Sequence, residues 1–98
     1  MSFTHLASFT WKDQTAPADV EKITAALTEL VATLSGVESY NCGADVSRTA
    51  DSYDYAVLGV FAGRDDFLAY RDHPEHQRIL TELIGPNLAN RIVVQLQS

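Results

Sequence analysis

Residues 53–62 constrain this chain most. Tyr53, Tyr55, Val57, Gly59 and Phe61 point to one side of a strand, and Asp54, Ala56, Leu58, Val60 and Ala62 to the other. Beyond Asp54 both sides are apolar, and a strand apolar on both sides is covered on both sides. The 98-residue chain has room for one domain, taken here as residues 1–98, and for one modest core. Something outside that core must therefore cover the second face of the strand. A second copy of the chain is the economical cover, and a homodimer is expected.

The remaining elements follow from periodicity and punctuation. Phe3, His5, Ala7, Phe9 and Trp11 alternate with Thr4, Leu6, Ser8 and Thr10, the period of a strand over residues 3–12. Pro17 suits a first helical turn, and Val20, Ile23, Leu27, Leu30, Val31 and Leu34 form an apolar stripe that Gly36 ends. A second strand is expected over Val37–Val46 with a bulge at Gly43, followed by a turn over Ser47–Ser52. Gly63–Arg71 predicts a short helix that His73-Pro74 interrupts, because a residue before proline leaves the helical region. A further helix starts at Pro74 with Ile79, Leu80, Leu83 and Ile84 as its apolar positions. Gly85-Pro86 weakens or ends it, and Ile92–Leu96 closes the chain as a strand. The order β-α-β-β-α-α-β predicts an α+β fold, a ferredoxin-like split βαβ with a four-stranded antiparallel sheet.

Charge and composition narrow the function. Seven Lys and Arg against thirteen Asp and Glu leave a net charge of −6 with no basic cluster, so neither nucleic-acid nor membrane binding is expected. The single Cys42 excludes an internal disulfide and a Cys₄ zinc site. The first residues lack a signal-peptide pattern, and no apolar run reaches the length of a membrane span. A cytoplasmic location is expected. No carboxylate or cysteine joins His5, His73 and His76 at a metal-ligand spacing, and neither a nucleophile elbow nor a phosphate-binding glycine loop is present. No metal and no cofactor is expected.

What remains is a small set of histidines and tyrosines. His5 lies on the apolar face of the first strand, where it is either a satisfied core histidine or a site residue. With a helix starting at Pro74, His76, Ile79, Leu80 and Leu83 fall on one stripe, so His76 faces the core beside the sheet that carries His5. There it either caps the preceding turn or acts as a base near neutral pH. Tyr70 is expected to be buried with its hydroxyl either packed on one partner or offered as a donor to a developing oxyanion. Ala7 and Gly59 are small enough to leave room for a ligand, although Gly59 also suits a large neighbour. The pocket is expected to be walled by His5, Ala7 and Phe9 from the first strand and by Val57 and Gly59 from the third. Ile23 and Leu27 complete it from the first helix, with Leu80 and Leu83 from the last.

His5, the Trp11-Lys12 strand end, Gly36-Val37 and above all the Tyr70-Arg71-Asp72-His73-Pro74-Glu75-His76 segment together resemble the stress-responsive A/B barrel family. That family belongs to the dimeric α/β-barrel superfamily. The resemblance covers essentially the whole chain and implies subunits whose sheets pair face to face as a barrel. Most of the family has no assigned reaction, but one plant member is a polyketide cyclase that performs an aldol condensation without metal or cofactor. By that resemblance His76 is the general base, Tyr70 the hydrogen-bond donor to a substrate carbonyl, and His5 a pocket residue. Ile23, Thr24 and Leu27 stand where the cyclase carries large aromatics, Gly59 where it has a branched residue, and Gly85-Pro86 interrupts the last helix, so the pocket differs in shape. The expected function is a cofactor-free acid–base enzyme acting on a small apolar carbonyl compound by cyclisation, isomerisation or lyase chemistry. The alternatives are a non-catalytic stress or ligand-binding dimer and a cofactor-independent monooxygenase.

Overall fold

The computed structural model describes residues 1–98. The strands are β1 (Phe3–Trp11), β2 (Val37–Ala44), β3 (Tyr55–Phe61) and β4 (Leu88–Gln97). The helices are α1 (Pro17–Ala32), α2 (Arg64–Asp72) and α3 (Pro74–Ile79). The strands form one antiparallel sheet in the order β2-β3-β1-β4. All three helices cover the same face of it, the ferredoxin-like arrangement expected from the element order. No helix is long and apolar enough to cross a membrane.

The core lies between that sheet face and the helices. His5, Ala7 and Phe9 of β1 and Tyr55, Val57 and Phe61 of β3 are buried, while their alternate neighbours are not. Ile23, Leu27 and Leu30 of α1, at spacings of four and three, meet them with Phe67 and Tyr70 of α2 and Ile79 of α3. Pro17 opens α1, and the Asp19 carboxylate accepts the Ala16 N–H at 3.0 Å.

Several elements depart from expectation. β2 ends at Ala44, and Val46 stands almost wholly in solvent. The irregularity in β2 falls between Val37 and Ser39, whereas Gly43 pairs regularly with Ala56. β4 begins at Leu88 because its ladder to β1 continues through the polar residues Asn90 and Arg91, whose backbones pair whatever their side chains. The last helix changes form after Ile79. Leu80–Ile84 is a π-helical turn and Gly85–Asn87 a 3₁₀ turn. The Gly85 N–H reaches back five residues to the Leu80 carbonyl, and a β-carbon at position 85 would lie 2.8 Å from that oxygen. Glycine permits the close approach, and Pro86 adds no N–H with which to continue the helix.

Gly36 turns the chain from α1 into β2 at φ +77°, and a β-carbon there would collide with the Asp66 carboxylate. Gly43, by contrast, has open space around it. We expect Gly36→Ala to cost about 1–2 kcal/mol. At about 4–8 °C per kcal/mol for a domain this small, that is a clear loss of Tm. Gly43→Ala should change Tm little, and thermal melts of the two variants side by side check the assignment.

Candidate active site

The site begins at the break between α2 and α3. His73 adopts φ −59° and ψ 133°, out of the helical region, as the residue before Pro74 must. Its ring Nδ1 accepts the Glu75 N–H at 3.0 Å and so caps α3. In a continuous helix that N–H would go to the Arg71 carbonyl. The carbonyl, left free by the break, is instead bonded by His76 Nδ1 at 2.9 Å and by the Gln77 side-chain amide at 2.7 Å. A carbonyl only accepts, so Nδ1 of His76 carries the proton and the lone pair of the neutral ring sits on Nε2.

His76 is 7% exposed and its ring lies 4.3 Å, centroid to centroid, from that of Tyr70. The Tyr70 hydroxyl is 2.8 Å from that of Tyr40 on β2. Burial raises both phenols, Tyr70 to about 12 and Tyr40 further, so both stay protonated at neutral pH. With Tyr40 donating, Tyr70 keeps its own proton for another acceptor. Tyr40 is a partner the sequence reading missed. Its register pairing with Gly59 signals it, because the space a Gly59 side chain would fill is taken by the rings of Phe61 and Tyr40.

His5 is 9% exposed, its ring 4.9 Å from Phe67 and 6.1 Å from Tyr70. Its Nδ1 is buried with no hydrogen-bond partner. Gln95, its register partner on β4, is the polar neighbour of the ring.

His5, Tyr70 and His76 line one cavity of about 190 Å³ between the sheet and the helices, and Tyr40 stands behind Tyr70 outside its wall. Ala7, Phe9 and Val57 form its floor beside His5, and Leu27, Tyr70, His76 and Leu80 its roof. Three expected wall residues lie elsewhere. Ile23 is sealed in the core, one helical turn from Leu27. Gly59 is covered by Tyr40 and Phe61 and leaves no empty volume. Leu83 is replaced at the wall by Ile84, because the π turn adds a residue to the helical period and rotates the next position inward. Phe67 and Arg71 of α2 and Arg91, Val93 and Gln95 of β4 also line the cavity. The sequence reading missed Arg91 by starting β4 at Ile92. No group of three or more His, Cys, Asp or Glu side chains gathers to hold a metal ion.

The site is thus an apolar cavity in an α+β fold, walled by two neutral imidazoles and a protonated phenol. The chain belongs to the stress responsive A/B barrel domain family, whose family model matches residues 3–98. It is similar to a dimeric ferredoxin-like protein of unknown function from Thermobifida fusca, at 41% identity and a TM-score of 0.88 over 98% of this chain and 90% of that one. A family protein from Mesorhizobium loti shares the fold at 18% identity, with a TM-score of 0.79 over 99% and 96% of the two chains. So does a hydroxynitrile lyase from Passiflora edulis, at 19% identity and a TM-score of 0.81 over 97% and 91%. A comparison with curated proteins finds no match.

Burial holds both His5 and His76 below the ordinary histidine value of 6.5. For His76, the bond to Arg71 opposes that shift without reversing it. The folded chain therefore binds fewer protons than the unfolded chain just below that value. The stability that these neutral rings contribute is present above 6.5 and lost as pH falls through their lower folded-state values. We expect Tm to fall between about pH 7 and about pH 5. The slope should be shallower in His76→Gln, as pH-resolved melts of both proteins will report.

Proposed function

We propose that this chain is a homodimeric, cofactor-free acid–base enzyme acting on a small, largely apolar carbonyl compound. The observation that carries the proposal is the orientation of His76. Its Nδ1–H is committed to the Arg71 carbonyl, and the basic Nε2 belongs to a neutral ring at an apolar cavity. Such a nitrogen removes a proton from the carbon next to a carbonyl, and the electron pair moves onto the carbonyl oxygen. Tyr70, protonated and backed by Tyr40, is the donor to that oxygen, and the enolate formed is common to aldol cyclisation and isomerisation. The hydroxynitrile lyase is a protein of the same fold whose name denotes cleavage chemistry, and at its identity to this chain it supports the fold alone.

The same contacts also favour a second reading. The His76–Arg71 and Tyr70–Tyr40 bonds tie the helix break together, which suits a non-catalytic dimer in which these residues are structural.

Proton exchange in heavy water separates the two. Wild type should speed exchange of the α-protons of phenylacetone, followed by NMR, by about 10²-fold or more over His76→Ala, with Tyr70→Phe also impaired. Equal exchange by wild type and a folded His76→Ala protein removes the catalytic reading and leaves the structural one.

The dimer is supported by the sheet face that the helices leave bare. Leu58, Leu6 and Val94 form one row across β3, β1 and β4, flanked by Ile92 and Leu96. Leu58 is 41% exposed and Leu96 61%. A contiguous apolar face of this kind marks an interface, and the Thermobifida fusca relative is described as dimeric. Light scattering should give twice the chain mass for wild type and a monomer for Leu58→Asp. A wild type monodisperse as a monomer at micromolar concentration overturns the dimer.

A further inference from the structure

We propose that the β4 end of the cavity is a carboxylate subsite formed by Arg91 and Gln95 beside His5, and that the substrate is a small apolar carbonyl compound that also carries a carboxylate. This rests on the acid–base reading above and names its substrate class.

The register between β1 and β4 sets the arrangement. His5 pairs with Gln95, Ala7 with Val93 and Phe9 with Arg91, and all six line the cavity. The middle pair is small, so the floor dips between a polar pair at one end and Phe9 with Arg91 at the other. A carboxylate lying over Val93 has the Arg91 guanidinium on one side and the Gln95 amide with the His5 ring on the other. The apolar body of the same molecule then lies over Val57, beneath Leu27 and Ile84.

Three observations support an anion there. First, of the basic side chains that form no ion pair, Lys12, Lys22, Arg48, Arg64 and Arg91, Arg91 alone lines the cavity. The pairs that form are Arg71 with Asp72 and Arg78 with Glu75 and Glu82. Second, no Asp or Glu lines the cavity, so its only formal charges are the cations of Arg71 and Arg91. Arg71 is held by Asp72 at 2.9 Å, which leaves Arg91 free for a ligand. Third, the His5 ring lines the cavity next to Gln95, its register partner, and the Gln95 amide is a donor available to an anion there. An arginine beside an amide and an imidazole suits a planar, two-oxygen anion better than a neutral carbonyl.

Calorimetric titration of hexanoate and benzoate against hexanamide and benzamide tests this. Each pair has nearly the same shape and differs in charge. Wild type should bind the acids about tenfold more tightly than the amides. In Arg91→Gln, whose side chain is exposed and outside the core, that ratio should fall towards one with amide binding unchanged. Equal binding of acid and amide by wild type, a ratio that survives in Arg91→Gln, or no binding of any of the four overturns the subsite. Phenylacetone carries no carboxylate, so its exchange reports on His76 independently and the two assignments fail separately.

Discussion

The helix break at His73-Pro74 is the constraint on which the candidate site depends. On one unbroken helix, positions six apart such as Tyr70 and His76 would point about 120° away from each other. Pro74 forbids that helix, and the redirected α3 brings the two rings to 4.3 Å. The break also leaves one backbone carbonyl without its helical partner. Satisfying that carbonyl turns His76 and fixes which of its nitrogens holds the proton. The hydrogen bond that keeps α2 and α3 together is therefore also the one that leaves Nε2 as the basic nitrogen of a ring lining the cavity.

Much of this was legible from the chain alone because the signals are local. The alternation of residues 3–11, the stripe from Ile23 to Leu30 and the proline after His73 each fix an element through its own residues. So does the facing of His5 and His76 towards the core. What stayed hidden depends on pairing across the fold. The reach of β4 back to Leu88 follows from its ladder with β1, not from its side chains, and Arg91 came with it. Gly59 reads as empty space until the rings of Tyr40 and Phe61 are seen to occupy it. The π turn that exchanges Ile84 for Leu83 arises from a five-residue hydrogen bond, which no periodicity of apolar residues announces.

The two faces of the sheet solve different problems with the same strands. The inner face carries aromatic rings beside β2 and β3, where Tyr40, Tyr55, Phe61 and Phe67 fill the space under the helices. Towards β4 the inner residues become small or polar, and the covering elements are the short α3 and its π turn. The core thins on that side and the cavity opens there. On the outer face the gradient is reversed. Ile92, Val94 and Leu96 of β4 all stand exposed there, and Val93 on the inner face is nearly as exposed as Ile92. The strand least covered by its own helices is thus the one with most to gain from an external partner on each face.

That asymmetry has a consequence for how a ligand and a second subunit would act on one another. β4 is an edge strand, hydrogen-bonded to β1 alone, and its residues are exposed along nearly all its length. Arg91, Val93 and Gln95 face the cavity while Ile92 and Val94 face outward, so any force that orders the backbone of β4 orders both sets. A subunit packed on the outer face would hold the strand against β1 and fix the spacing between Arg91 and Gln95. A ligand held by those two residues would likewise stiffen the outer row that a partner meets.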